Sequence, residues 1–207
     1  MEALNKWKKF MIEEQSSALQ IYCDMDGVLV DFETGVIDYV NNSLQDDEEG
    51  HKYKRKLKGA LDQLEREHSI TLIDIGFDKS TRLNAARNYM YKLVGDNREF
   101  WADLHWTTDG QQLWNHIKQF DPIILTAPMH GKNKGSELGK HDWIEKNLEI
   151  DKSKIIMTSD KYKHAAPNHL LIDDMMKYLG PWLEAGGQGI HHKSANKTIN
   201  KLEELAR

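Results

Sequence analysis

Apolar residues recur along this chain in two rhythms. Short apolar runs occur at Leu19 to Cys23, Pro122 to Thr126, Lys154 to Thr158, His169 to Ile172 and Gln188 to His192. Between the later runs lie longer segments, Asp109 to Gln119, Gly139 to Leu148 and Met175 to Ala185, whose apolar residues fall at three-to-four spacing. The alternation predicts strand and helix units, and hence an α/β protein with a mainly parallel sheet flanked by helices. The first strand stands far from the second. The region between them, Gly35 to Val94, carries two charged helical patterns, Asp46 to His68 and Ser80 to Leu93, around a β-branched run at Ser69 to Ile75. It reads as a small, mostly helical cap inserted after the first strand, so the core is expected at 1–34 and 95–207 and the cap at 35–94. Lys193 to Arg207 reads as a final surface helix, and the charge run Asp46 to Gly50 as a solvated loop or helix start.

The composition narrows the class. With 39% hydrophobic and 29% charged residues over 207 positions, the chain suits one core domain plus a modest insertion. No apolar run approaches the roughly twenty residues that a membrane span requires. Met1 to Lys9 is charged, lacks the pattern of a secretory signal and reads as a short helix, so a cytoplasmic location is expected. The single cysteine, Cys23, excludes an internal disulfide and reads as a core filler. A net charge of -5 argues against nucleic acid as the main partner. The sequence leaves assembly into a homo-oligomer open.

Candidate chemistry gathers at the predicted strand ends. In Asp24-Met25-Asp26-Gly27, two carboxylates stand two positions apart just after an apolar strand, and Gly27 lets the chain turn away. The carboxyl edge of an open α/β sheet is where such folds carry their chemistry. Two acidic groups so close repel unless a proton or a hard cation separates them, which makes Mg²⁺ the natural third party. A second strand ends in Leu125-Thr126-Ala127-Pro128, where a hydroxyl and the following backbone amides can hold phosphate oxygens. The basic loop after it, from Met129 to Ser136, could steer an anion through Lys132 and Lys134, though the same lysines suit a solvated surface.

Lys140, expected near a helix start, where the dipole disfavours a cation, calls for a phosphate or acidic partner. Lys161, just after the third strand, is an equal candidate to neutralise charge on a transferring phosphoryl group. A further strand stops in Asp173-Asp174, a pair that suits either a shared cation or a helix cap. Trp101 and Trp106 could line a pocket, but their spacing suits the core better. His191 and His192 read as structural residues at a strand end.

Taken in order, these segments resemble the haloacid dehalogenase (HAD) superfamily, and within it the 5'(3')-deoxyribonucleotidases. The likeness rests on Asp24 to Phe32, Ile124 to Pro128, Lys140 to Lys146, Thr158 to Lys161 and Leu170 to Asp174, and it leaves out the insertion. It implies a HAD-like Rossmannoid core. It also implies that Asp24 attacks phosphorus and Asp26 serves as acid and base. Mg²⁺ would be held by Asp24, by the Asp26 backbone carbonyl and by Asp173 or Asp174. Phosphate would be met by Thr126, Ala127 and Lys140 or Lys161, and Phe32 would pack on a nucleobase. Ala127 stands where a serine is common among these relatives.

The expected activity is therefore Mg²⁺-dependent hydrolysis of a small phosphomonoester, a nucleotide first, through an aspartyl-phosphate. A sugar phosphate or a nucleic-acid 3'-phosphate end would use the same chemistry, and a non-catalytic binding protein of this fold is the reading from another class. The missing G-x-x-x-x-G-K-[ST] motif argues against a P-loop kinase.

Overall fold

The computed structural model describes residues 19–43, 94–129 and 134–205. The expected N-terminal helix, both charged helical patterns of the insertion, the β-branched run, the Asp46 to Gly50 charge run and Lys132 lie outside them. The described residues fall into two compact units.

The first unit draws on the described residues up to Leu29, on Trp106–Ala127 and on the described residues from Asp151 onward. Its strands are β1 (Gln20–Cys23), β2 (Ile123–Thr126), β3 (Ile155–Met157), β4 (His169–Asp173) and β5 (Gln188–His191). They form one sheet in the order β3-β2-β1-β4-β5, every pairing parallel. A parallel sheet covered on both faces needs apolar side chains on both, which is why these strands read as apolar runs and not as alternating ones. Register places Tyr22, Ile123, Leu125 and Leu171 on one face, where they pack with Leu179 and Trp182 of the helix Met176–Glu184. Ile21, Cys23, Ile124, Leu170 and Ile172 take the alternate positions and are as thoroughly buried. The buried Trp182 Nε1–H donates to the Gln188 carbonyl at 2.7 Å, so this large ring enters the core without an orphaned donor.

The second unit comprises the described parts of Val30–His105 together with Pro128–Ile150. Numbering helices of both units in chain order, α1 is Phe32–Ser43, α2 Arg98–Ala102, α3 Gly110–Ile117, α4 Gly135–Asn147, α5 Met176–Glu184 and α6 Ala195–Leu205. In this unit α2 and α4 lie close together. A Cβ on Gly135 would collide with the Asp96 backbone, and one on Gly139 with the Arg98 carbonyl and Trp101 Cβ. Arg98 makes a two-pronged ion pair with Asp142, at 2.5 and 2.7 Å, across the same contact. Trp101 and Trp143 are buried and donate to the Val94 and Leu104 carbonyls, so Trp101 is a core residue of this unit.

Several boundaries differ from those the pattern predicts. Helix α4 starts at Gly135, not Gly139, because the Gly135/Gly139 stripe that packs it carries no apolar signal. Lys140 is consequently inside the helix, beyond its first turn, and the dipole argument for a partner at a helix start does not apply. Helix α1 runs through residue 34, the expected edge of the insertion. Among the described helices none is long and apolar enough to cross a membrane.

Candidate active site

The candidate site lies in the first unit, at the carboxyl ends of β1 and β4. The parallel register Cys23↔Ile172 brings Asp24 and Asp173, each just past a paired residue, to the same edge. The Asp24 amide continues the ladder by donating to the Ile172 carbonyl at 2.9 Å. The chain then makes one tight turn, the Val28 and Leu29 amides both donating to the Met25 carbonyl. Gly27 sits in this turn at φ +72°, and any Cβ there would run into the Asp174 carboxylate, so glycine is required by both conformation and space.

Lys161 joins these acids. Carried on a 3-10 turn, Lys161–His164, its fully buried ammonium lies 2.8 Å from Asp24 Oδ1 and 2.7 Å from Asp173 Oδ2. Burial works to lower the Lys161 pKa, but the charges of Asp24 and Asp173 outweigh it and hold this lysine above its ordinary value. The other Asp173 oxygen, Oδ1, accepts from the Met175 amide at 2.8 Å. Asp173 therefore spends both oxygens on protein donors.

Asp174 differs. Its Oδ1 is buried with no hydrogen-bond partner. Burial, then the charges of Asp24, Asp173 and Asp26, push its carboxyl up to about 8, while burial and Asp24 push Asp173 to about 7 against the pull of Lys161. The Asp174 backbone is fixed from β5, where His191 Nε2 lies 2.8 Å from the Asp174 carbonyl. That contact gives His191 the structural role expected of it, one element away from the site.

Ligand oxygens of Asp24, Asp173 and Asp174 all lie within 4.8 Å of one another. A partnerless buried carboxylate oxygen, close to two further acids whose charges help to raise its pKa, is the electrostatic setting into which a hard divalent cation fits. Of the adjacent pair, Asp174 has the uncommitted oxygen and Asp173 holds Lys161. Asp26, half-buried two residues after Asp24, belongs to the same electrostatic cluster, since its charge reaches Asp174. Thr126 ends β2 on the same edge, fully buried, its carbonyl accepting from the Thr158 amide at 2.9 Å, with Ala127 half-buried after it. Cys23 is buried too, its thiol pushed up by burial first and by Asp24 next, as befits a core filler.

Lys140 and Phe32 belong to the second unit. Lys140 is fully buried, with its ammonium 5.0 Å from the centre of the Trp101 ring. Phe32, the first residue of α1, stacks on the same ring at 5.0 Å and 11°. Lys177 and Tyr178, by contrast, flank Lys161 and drew no attention in the sequence; the available signal was their place one helical turn after the Asp173-Asp174 pair.

No known protein family matches the chain, and no curated protein is similar to it. Solved structures are. A HAD-superfamily hydrolase from Ehrlichia chaffeensis aligns over 91% of this chain and 97% of its own at 12% identity, with a TM-score of 0.50. A predicted phosphatase from Clostridium acetobutylicum covers 91% and 100% at 13% identity and a TM-score of 0.47. A HAD-hydrolase from Bacillus subtilis, solved bound to magnesium, covers 91% and 98% at 12% identity and a TM-score of 0.44. The five-stranded parallel sheet with its flanking helices is thus the HAD-like α/β fold.

Proposed function

We propose that the protein is a Mg²⁺-dependent phosphomonoester hydrolase, with a nucleotide as the first substrate to test. The observation that carries this reading is the Lys161 ammonium clasped between Asp24 and Asp173 beside the partnerless oxygen of Asp174. A carboxylate nucleophile, a fixed cation and a cluster of acids suited to a hard cation at one sheet edge are what phosphoryl transfer through a carboxylate requires. The HAD-like fold, which the Ehrlichia chaffeensis hydrolase shares, adds weight.

Asp24 attacks phosphorus, and the bond to the ester oxygen breaks as Asp26 gives that oxygen a proton. The alcohol leaves, and an acyl-phosphate remains on Asp24. Asp26, now ionised, takes a proton from water, which attacks the acyl-phosphate, releasing inorganic phosphate and restoring Asp24. Lys161 holds Asp24 in place through their ion pair and faces the negative charge that grows on the phosphoryl oxygens. Thr126 and the amides after it would hold those oxygens. Asp24, the Asp26 carbonyl and Asp174 would hold Mg²⁺, which when bound neutralises phosphoryl charge. Of the two candidate lysines, Lys161 takes the phosphate role. Asp26 also favours an ester over a haloacid, because a halide leaves without needing a proton.

The test is inorganic phosphate release from nucleoside 5'- and 3'-monophosphates, sugar phosphates and a 3'-phosphorylated oligonucleotide, with Mg²⁺ and with EDTA. Release that needs Mg²⁺ is expected. No release from any ester by folded, Mg²⁺-loaded protein would sink the reading and favour a binding protein of this fold.

A further inference from the structure

Next to Lys161, the first unit holds a cleft of about 310 Å³ lined by Ser159, Lys161, Tyr162, Lys177, Tyr178 and Pro181. Its inner wall is Lys161, buried, and Tyr178, half-buried; its mouth is Ser159, Tyr162, Lys177 and Pro181, all exposed. The ammonium groups of Lys161 and Lys177 lie 4.3 and 4.6 Å from the centre of the same Tyr178 ring. The two cations are therefore no farther apart than those two distances together allow, which is the reach of a small molecule. Lys177 also lies within electrostatic range of Asp173, Asp24 and Asp174.

Three features give the cleft a preference. The Lys177 ammonium and the Ser159 hydroxyl are donors at its mouth. The rings of Tyr162, Tyr178 and Pro181 make its walls largely apolar, as ligand sites usually are. Pro181, inside α5, has no N–H to give the Lys177 carbonyl four residues earlier, so the helix itself is loosened at this point. Lys161 is common to the cleft and to the acid cluster, 2.8 Å from Asp24 and over the same Tyr178 ring as Lys177, so Asp24 and Lys177 lie within the span of one small substrate.

We propose that the cleft receives a second anionic group carried by the substrate, so that the preferred esters have a carboxylate or a second phosphate on their leaving group. This rests on the hydrolase reading and narrows it: among nucleotides it selects those with a second phosphate.

The test compares matched pairs of esters, phenyl phosphate with carboxyphenyl phosphate, and a nucleoside 5'-monophosphate with its 3',5'-bisphosphate. The doubly anionic member of at least one pair is expected to have a kcat/KM about five- to twentyfold higher, mostly through KM, because a charge contact made equally in ground and transition states lowers KM. An advantage confined to one pair tells carboxylate from phosphate. In Lys177→Met the ratio falls to about one, in Lys177→Arg it persists, and added KCl shrinks it. Equal kcat/KM within both pairs, or a ratio untouched by Lys177→Met, overturns the proposal and leaves the hydrolase reading standing. Should no ester turn over, the hydrolase reading falls, and calorimetric titration of the Asp24→Asn protein with the same pairs decides the cleft: tighter binding of the doubly anionic member, lost in Lys177→Met, supports it, and equal binding overturns it.

Discussion

Among the described residues two lysines are fully buried, and their surroundings differ in kind. Lys161 sits between Asp24 and Asp173 at 2.8 and 2.7 Å, at the carboxyl edge of the sheet. Lys140 lies over the Trp101 ring at 5.0 Å, inside a helix packed through Gly135 and Gly139, with Phe32 stacked on the same ring. Burial alone demands only that an ammonium be compensated. What surrounds it decides whether it can also work. Around Lys161 are groups that can attack, bind a cation or face a phosphoryl oxygen, and a ring stack around Lys140 supplies packing and a modest cation–π attraction. The sequence offers Lys140 near a helix start and Lys161 just after a strand as equal candidates; the structure puts Lys161 between two carboxylates of its own unit.

The sharpest cut removes the carboxylate that Lys161 serves. Asp24→Asn is expected to lose at least ~10⁴-fold in turnover while keeping its circular dichroism spectrum, because an amide cannot form the acyl-phosphate. Substantial residual turnover would take the nucleophile role from Asp24. Lys161→Met comes next. Turnover is expected to fall about 10³-fold, and stability by about 3–5 kcal/mol near neutral pH, since two buried carboxylates are left without their cation. Mg²⁺ should return part of that stability, which thermal melts with and without the ion will show. Lys140→Met, tested beside it, keeps the length of the chain against Trp101 and is expected to leave turnover within about tenfold. Equal losses in the two variants would erase the distinction between the lysines.

A smaller effect comes from the turn. Gly27→Ala places a methyl group against the Asp174 carboxylate and a side chain at φ +72°. The conformation alone costs about 1–2 kcal/mol, and displacement of Asp174 should weaken Mg²⁺ binding about tenfold. Calorimetric titration of Mg²⁺ checks it; unchanged affinity would mean that Asp174 is not a ligand.

The positions of the strands along the chain, the acidic pairs at their ends and both lysines could be read in the sequence, because a parallel sheet buried on two faces writes its strands as plain apolar runs; their order in the sheet could not. Helix α2, five residues long, is too short to show a period, and α1 carries Gly35 and a polar end, so neither stood out. Phe32 was expected to face a base. The structure gives one face of its ring to Trp101, a contact between residues far apart in sequence that no local pattern encodes. The choice between Asp173 and Asp174 was invisible for a similar reason. It turns on which oxygen meets the Lys161 ammonium and the Met175 amide, and only the folded turn decides that.

The least drastic way to separate the two surroundings changes no residue. Asp174 and Asp173 are raised from 3.8 to about 8 and about 7, chiefly by burial and by the Asp24 charge. The folded protein therefore binds protons that the unfolded chain has released, and stability must fall as pH rises between the two sets of values. The destabilisation is absent below about 3.8, accumulates through neutrality and is complete above about 8. Mg²⁺ competes with those protons, so its stabilising effect should be larger at pH 8 than at pH 6, visible as a shift of a few degrees in Tm. His192 pulls the other way at the acid end. It is buried against Thr198, and burial lowers its pKa, so the folded state resists its protonation and loses stability below about 6.5, a loss that His192→Gln should remove. In the metal-free protein the two trends together predict a stability maximum on the acid side of neutrality, and Mg²⁺ should move it upward. A profile that ignores Mg²⁺ at every pH would mean that the raised carboxylates are not where the ion binds.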